Sequence, residues 1–200
     1  MQHPFPIVLD LSGRLVVVFG TGPLAKEKLR ALGDAGASVR HISAEPDPSD
    51  LDGAFLAISA LLDPAANQRL FEAAERRGVL FNALDDPPRC RFYFPAVHRQ
   101  GALVIALSTS GQCPALAVRL KEALALWIGP EYDAFLRLAA SVRGRIRDSG
   151  LDFGSRRRLW YRLVDGPALS QLRRGQSDKA VGTFEATLRE DIPAASEVSK

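Results

Sequence analysis

The sequence lacks the features that mark membrane, secreted and metal-bound proteins. No apolar run reaches the roughly 18 residues that a transmembrane helix needs. The first residues show no basic region followed by an apolar stretch, as a signal peptide would. Only two cysteines occur, Cys90 and Cys113, without a C-x-x-C pair or a histidine at ligand spacing, so we expect reduced thiols in or near the core. These absences favour a globular protein of the cytoplasm with no membrane partner.

Charge of neither sign dominates the whole chain, whose net charge is +3. The arginines are unevenly placed, however: the segment from residue 137 to residue 174 contains ten arginines and only three aspartates. A basic segment of this kind favours an acidic partner or a polyanionic small molecule. Nucleic acid is not expected, because we identify no aromatic stacking platform interleaved with these arginines.

A βαβ unit opens the chain. Leu15–Phe19 is a continuous apolar, β-branched run, typical of a buried strand in a parallel sheet. It leads into a glycine-rich turn, a helix that ends near Gly36, and a second strand over Ser38–Ile42. Further apolar runs predict strands at 54–60 and 79–82 around a helix at 64–77, which Asp63 caps. The pattern predicts an α/β fold with a Rossmann-like parallel sheet.

The turn Gly20-x-Gly22-x-x-Ala25 matches the dinucleotide fingerprint, with alanine in its third position. The first glycine permits a tight turn, and the second lets a pyrophosphate approach the backbone at the helix N-terminus. Glu45 is the candidate acid for the ribose. The alternative is a turn of the same shape that binds nothing.

Two later loops carry polar side chains at positions where strands end. Asn82 to Pro87 includes Asp85, which is a candidate general base or metal-proximal group, or else a turn former before proline. The turn Ser108 to Pro114 offers hydroxyls to a carboxylate or phosphate, or else simply caps the next helix.

After the second loop the sequence becomes helical. A hairpin is predicted from strands at 92–97 and 102–107 with a turn at 98–101. Helices are predicted over 116–127, 131–147, 155–164 and 167–173. Residues 176–200 are weakly patterned, and we expect disorder in the last ten.

Several motifs in this order resemble the bifunctional precorrin-2 dehydrogenase / sirohydrochlorin ferrochelatase family, the N-terminal module of siroheme synthases. The resemblance covers about residues 4 to 150. Its motifs lie at residues 6–11, 16–28, 67–69, 82–87, 94–96 and 105–117.

The resemblance implies a homodimer with a Rossmann-like domain (1–112), a helical dimerisation region (113–150) and a small helical C-terminal region (151–200). It implies oxidation of precorrin-2 to sirohydrochlorin with NAD, then insertion of ferrous iron. Asp85 would act in both steps, and no metal-ligand residue is assigned. The positions that would contact NAD are Gly20, Gly22, Pro23, Leu24, Ala44 and Glu45. Those that would contact the tetrapyrrole are Asn82, Ser108, Thr109, Ser110 and Gly111.

The chain departs from the family pattern on the cofactor side. Pro23 removes one backbone donor from the turn, only about ten residues (45–54) separate the second strand from the third, and Leu61-Leu62-Asp63 replaces the family's Thr-Asp-Asp. Two alternatives follow. One is a chelatase-only or degenerate member without NAD-dependent activity, and the other is a non-catalytic module that binds a nucleotide or tetrapyrrole.

Overall fold

A computed structural model describes residues 5–192 and divides the chain into two compact units. The first unit ends at Phe94 and the second begins at Pro95. The predicted region boundaries at 112 and 150 concern the dimerisation and C-terminal regions, and they stay predictions. The β-hairpin, placed within region 1–112 by the sequence, lies in the second unit.

The first unit is a four-stranded parallel sheet with helices on both faces. Its elements are β1 (Leu15–Phe19), α1 (Pro23–Asp34), β2 (Ser38–Ile42), a 3₁₀ helix (Pro48–Leu51), β3 (Leu56–Ser59), α2 (Pro64–Arg77), β4 (Leu80–Ala83) and a second 3₁₀ helix (Pro87–Arg89). The strand order is β2-β1-β3-β4, and each neighbouring pair is parallel. The predicted α/β fold is confirmed.

Burial on both faces explains the uninterrupted apolar character of β1. Side chains alternate along a strand, so Val17 and Phe19 join the core on the α2 side, whereas Val16 and Val18 join the core that includes Ala25 of α1. These four of the five β1 side chains are fully buried. A parallel sheet covered on both sides requires this pattern.

The ends of α2 follow from local sequence chemistry. The Asp63 carboxylate accepts hydrogen bonds from the amides of Ala65 and Ala66, at 2.8 and 3.2 Å. Pro64 occupies the first helical position, where an amide would lack an intrahelical partner. Gly78 ends the helix in the left-handed conformation, with φ of 67°. The predicted cap, first residue and last residue of α2 are all confirmed.

Up to residue 192, the second unit is a two-stranded hairpin followed by five helices. Its elements are β5 (Ala96–Gln100), β6 (Leu103–Leu107), α3 (Pro114–Trp127), α4 (Pro130–Arg147), α5 (Phe153–Asp165), α6 (Ala168–Arg173) and α7 (Ser177–Asp191). α3 and α4 pack against the hairpin, while α4 to α7 share a second core that includes Val142, Leu159 and Phe184.

The predicted hairpin strands were partly wrong. Residues 92–95 belong to no strand, and His98, Arg99 and Gln100 lie in β5 rather than in a turn. The strands pair from Ala96 with Leu107 to Gln100 with Leu103, so the connection is only two residues long. Gly101 has φ of 57°, and a Cβ there would overlap the Asp133 side chain, which explains why the turn uses glycine.

The sequence, weakly patterned after residue 176, predicted no individual helix there, but α7 runs from Ser177 to Asp191. Ala180, Phe184 and Leu188 recur every four residues and are buried on the face that meets the core. The disorder expected for the last ten residues falls mostly on 193–200, outside the described residues. Within 5–192, no helix has both the length and the apolar composition needed to cross a membrane.

Candidate active site

One edge of the sheet gathers most of the predicted site residues of the first unit. The parallel strands β1, β2 and β4 end at Phe19, Ile42 and Ala83, so the residues that follow them share the carboxyl edge of the sheet. The chain continues from β1 to β2 on one side and then crosses to β3 on the other. This reversal lies between β1 and β3, which is where open α/β sheets bind ligands.

The two glycines of the first turn have different physical roles. Both have positive φ, 95° for Gly20 and 94° for Gly22. A Cβ on Gly20 would lie 3.0 Å from the carbonyl oxygen of Ala60, so this glycine permits close contact with the end of β3. A Cβ on Gly22 would meet nothing within 4 Å, so this glycine leaves open space at the start of α1.

The start of α1 fits a bound pyrophosphate. Gly22 is the N-cap and has no side-chain cap, and the first backbone bond of the turn runs from Lys26 to Gly22. The amide of Leu24 therefore has no backbone partner in the described chain, and Leu24 is 46% exposed. Pro23 removes one donor, but at the first helical position that donor would lack an intrahelical partner anyway. The helix dipole adds positive potential at this end.

The end of β2 leaves Ala44 and Glu45 exposed beyond the sheet edge. His41, which the sequence analysis did not select, donates from Nε2 to the carbonyl oxygen of Gly20 over 2.9 Å. The parallel register pairs His41 with Val18, two residues before that glycine. Since the contact joins β2 to the glycine turn, His41 is a positioning residue. The sequence could have indicated this role, because His41 lies near the end of the strand that was expected to follow the glycine turn and its helix.

The structure separates the roles of the two adjacent aspartates after β4. The Asp86 carboxylate accepts two hydrogen bonds from Arg89, at 2.7 and 2.9 Å, and one from Asn67 at 3.4 Å. Asp85 is exposed, and its carboxylate has no hydrogen bond or ion pair within residues 5–192. Asp86 therefore stabilises the loop, whereas Asp85 is available to a ligand.

Backbone strain coincides with two predicted site residues. Among residues 5–192, the non-glycine residues with positive φ are Asp85 at 61° and Ser110 at 54°. A left-handed conformation costs an L-residue about 1 kcal/mol or more, and such strain clusters at functional sites. The observation supports a ligand-directed role for both positions.

Buried polar contacts fix the loop that carries Asp85. The Ser59 hydroxyl donates to Asn67 Oδ1 over 2.6 Å, and the Asn67 amide reaches Asp86. Arg89 also donates to Gln68, over 2.8 Å. These bonds join β3, α2 and the loop after β4. The motif at 67–69 thus positions the loop.

Asn82 lies on β4 and is buried rather than open to solvent. Its amide nitrogen donates to the carbonyl oxygen of Phe92 over 2.7 Å and approaches the sulfur of Cys90 at 3.3 Å. Burial raises the pKa of the Cys90 thiol, which donates to the carbonyl oxygen of Ala83. The tetrapyrrole contact expected of Asn82 stays a prediction, and its observed contacts hold residues 90–92 against the strand.

The predicted hydroxyl turn belongs to the second unit, between β6 and α3. The Ser108 and Thr109 hydroxyl oxygens accept hydrogen bonds from the amides of Ser110 and Cys113, at 3.1 and 3.2 Å. The amide of Gln112 donates to the Thr109 carbonyl, and both residues between them have positive φ, as in a type I′ turn. Neither hydroxyl caps α3, whose N-cap residue Cys113 has no side-chain cap bond. Both bonds order the turn itself, and each hydroxyl keeps a proton to donate. Gly111 is exposed at the tip of this turn.

Within the described part of the chain, no group of three His, Cys, Asp or Glu side chains is arranged to hold a metal ion. Cys90 is buried as expected, whereas Cys113, which the sequence placed in or near the core, is exposed at the start of α3. Both are free thiols. The exposure of Cys113 follows from its place as the N-cap residue of a helix whose first turn faces solvent.

Two family models match separate parts of the chain. One, described as "Putative NAD(P)-binding", matches residues 7–96. The other, described as the sirohaem synthase dimerisation region, matches residues 131–188. The first covers the parallel sheet with its glycine turn and the loop of Asp85, and the second covers most of α4 to α7 but not α3.

Curated relatives and a solved structure show the same similarity. The chain is 31% identical to the siroheme synthase of Azotobacter vinelandii over 95% of its own length, and 35% identical to siroheme synthase 1 of Pectobacterium atrosepticum, also over 95%. It spans only 45% of each relative. The structure of SirC, a precorrin-2 dehydrogenase, superimposes with a TM-score of 0.72 at 22% identity, covering 92% of this chain and all of that one. That likeness shows the fold.

Proposed function

Since this chain belongs to the family of the siroheme synthase N-terminal module, we propose that it oxidises precorrin-2 to sirohydrochlorin with NAD⁺ in siroheme biosynthesis. The observation that carries the proposal is the shared carboxyl edge of β1, β2 and β4. It brings the open space at Gly22, the acid Glu45 and the unpaired carboxylate of Asp85 to the same edge of the sheet.

The cofactor side of the site uses three parts of the first unit. Gly22 and the Leu24 amide receive the pyrophosphate, and Ala44 and Glu45 lie where the ribose of the adenosine would bind. A carboxylate at this position accepts hydrogen bonds from ribose hydroxyls and repels a 2′-phosphate, so Glu45 favours NAD over NADP. Arg40 does not offset this preference, because it donates to the carbonyl oxygens of Asp50 and Asp52.

Oxidation removes two hydrogens from precorrin-2, one as hydride and one as a proton. Bound NAD⁺ supplies the hydride acceptor. The Asp85 carboxylate takes the proton as general base, since it is exposed and unpaired within the described chain. In this proposal the hydroxyls of Ser108, Thr109 and Ser110 bind substrate carboxylates, and Gly111 leaves the tip of the turn open.

We also propose that ferrous iron is a substrate of the same chain. Insertion of Fe²⁺ into sirohydrochlorin releases two pyrrole protons, and Asp85 accepts one of them. The observation that favours this second activity is again the unpaired carboxylate, because it needs no nucleotide to receive a proton. A chelatase-only protein would keep this step and lose the first.

The dimerisation match and the exposed apolar side chains of α3 support a homodimer. Leu116, Leu120, Leu126 and Trp127 are 46 to 86% exposed in the single chain. An apolar face of this kind on a soluble chain is typical of a protein interface. We place the protein in the cytoplasm, which keeps thiols such as Cys113 reduced. Sedimentation velocity of the intact chain tests the dimer.

Precorrin-2 oxidation tests the proposed function directly. The chain is incubated anaerobically with precorrin-2 and NAD⁺, with NADP⁺, or with neither, and sirohydrochlorin absorbance and NADH are both followed. We expect sirohydrochlorin and NADH in equal amounts with NAD⁺, and a slower reaction with NADP⁺. Fe²⁺ and sirohydrochlorin in a separate assay test metal insertion.

The outcomes separate the alternatives. Metal insertion without NAD-dependent oxidation identifies a chelatase-only protein. Binding of NAD⁺ or sirohydrochlorin without turnover in either assay identifies a binding module and contradicts both proposed activities.

A further inference from the structure

The second unit contains a groove between α4 and α5 that no predicted site residue lines. Its volume is about 580 Å³, within the range of small-molecule sites. Ile146, which is buried, contributes from α4, and the rest of the lining is basic or aromatic.

The α5 wall of this groove is aromatic because of a helical repeat. Phe153, Trp160 and Tyr161 stand at positions i, i+7 and i+8, on the same face of the helix. Phe153 is 75% and Tyr161 53% exposed. The buried stripe of α5, Leu159 and Leu163, meets the core, and half-buried Trp160 packs against that core as well as lining the groove. The expectation that no aromatic stacking platform is interleaved with the arginines is thus wrong, because α5 places three aromatic side chains beside the basic groups.

Arginines line both walls of the groove. Arg143 and Arg147 project from α4, and Arg156 and Arg157 project from α5. Among residues 5–192, only Arg147 of these four has a carboxylate within 4.0 Å, that of Asp148. The groove therefore carries a net positive charge that the described chain does not neutralise.

Three arginines elsewhere in this unit pair with carboxylates instead. Arg137 pairs with Asp133, Arg145 with Glu185, and Arg162 with Glu190 and Asp191. The groove thus holds part of the excess of positive charge predicted for 137–174, beside the aromatic side chains. Arg158 and Arg174 lie outside the groove and also have no carboxylate within 4.0 Å among residues 5–192.

We propose that this groove binds a multiply carboxylated tetrapyrrole, in addition to the site at the sheet edge. The inference rests on the proposed function, which supplies that class of molecule. A flat macrocycle stacks on the Tyr161 and Trp160 rings, and carboxylates around its rim pair with guanidinium groups on opposite walls. A nucleotide carries its charge at one end only and would use one wall.

Arg157 lies beside the Tyr161 ring, so a carboxylate on a stacked macrocycle would be within reach of its guanidinium. Its guanidinium lies 5.4 Å from the centre of the Tyr161 ring, and it donates to the Tyr161 hydroxyl at 3.4 Å. Arg156 reaches only a backbone carbonyl, that of Arg147 at 3.5 Å. Both guanidinium groups therefore keep donors for a carboxylate.

Uroporphyrin tests the proposal without relying on turnover, because it is multiply carboxylated and is not oxidised by the reaction proposed above. Its binding to the intact chain is measured by calorimetry. We expect the double variant Arg143→Gln/Arg156→Gln to bind about tenfold more weakly, since two charge pairs at a partly exposed site are lost. The matched control Arg137→Gln/Arg145→Gln removes the same charge from the unit but away from the groove, and its affinity stays within about twofold of the parent.

A second pair of variants tests stacking. Tyr161→Ala weakens uroporphyrin binding, whereas Val164→Ala, at an exposed α5 position outside the groove, does not. Asp85→Asn leaves the groove contribution intact, so a failure of the oxidation assay and a failure of the groove are distinguishable. The proposal is overturned if both arginine pairs weaken binding equally, if Tyr161→Ala has no effect, or if ATP binds as tightly as uroporphyrin.

Discussion

Gly20 and Gly22 share one turn and nearly one φ, yet the structure predicts different consequences for alanine at each. Replacement of Gly22 costs backbone strain of about 1–3 kcal/mol, because its conformation is accessible almost only to glycine. Replacement of Gly20 adds a contact at 3.0 Å with the backbone of Ala60, which cannot rotate away. Overpacking of this kind costs about 1–3 kcal/mol more.

Gly20→Ala is thus the more destabilising variant, but we expect Gly22→Ala to weaken cofactor binding more. The methyl group of Gly22→Ala occupies the open space in front of the α1 N-terminus, so we expect NAD⁺ affinity to fall about tenfold or more, equal to about 1.4 kcal/mol. Gly33→Ala is the matched control within α1. Its Cβ meets nothing within 4 Å and its φ is ordinary, so stability rises by about 0.5–1 kcal/mol and NAD⁺ binding is unchanged.

Urea unfolding followed by far-UV circular dichroism measures the stability of these variants, and calorimetry measures NAD⁺ binding. Tryptophan fluorescence does not report on the first unit, because Trp127 and Trp160 both lie in the second. Equal destabilisation by Gly20→Ala and Gly22→Ala would refute the packing argument. Unchanged NAD⁺ affinity in Gly22→Ala would refute the assignment of the turn to the pyrophosphate.

Three further predictions follow from single residues. In the native protein a thiol reagent modifies exposed Cys113 rapidly, but it modifies Cys90 only on unfolding, because burial shields the Cys90 thiol and raises its pKa. Rapid modification of both thiols in the native protein contradicts this prediction. Burial alone would raise the pKa of Glu131. Hydrogen bonds from its own amide and from Arg173, together with the charge of Arg173, outweigh burial, so the pKa lies below its ordinary value of 4.5. Glu131→Gln therefore lowers the free energy of unfolding by about 1.5 kcal/mol at pH 7. In acid titrations of unfolding, the difference in this free energy between parent and variant narrows as the pH falls below about 4.5. A difference that does not change with pH contradicts the pairing of Glu131 with Arg173. Glu45→Ala lowers the ratio of kcat/KM for NAD⁺ to that for NADP⁺ in steady-state kinetics. An unchanged ratio contradicts the placement of Glu45 at the ribose.

The sequence predicted the parallel sheet because its signals are local and agree with one another. The β-branched run of β1, the two glycines after it, and the Asp63-Pro64 start of α2 each specify one conformation. The pattern of α7 was weaker. Gly182 interrupts it, and its buried face is a single stripe of three residues.

The site could be predicted only in part, because some of its properties depend on the folded backbone. Asp85 and Asp86 are adjacent and chemically identical, so only the conformation of the loop and the position of Arg89 separate their roles. Likewise, the spacing of Phe153 and Tyr161 was visible in the sequence, but the α4 wall that faces them was not.

The central claim is that Asp85 handles the protons of the proposed reactions, and one comparison tests it most directly. Asp85→Asn keeps the shape of the side chain, and asparagine tolerates a left-handed backbone, so the fold is preserved. Asp86→Asn is the matched variant, and it loses the charge and one of the two oxygens that accept hydrogen bonds from Arg89. With precorrin-2 and NAD⁺, we predict that NADH formation falls about a hundredfold or more in Asp85→Asn and persists in Asp86→Asn below its unfolding temperature. Wild-type rates in Asp85→Asn would contradict the account.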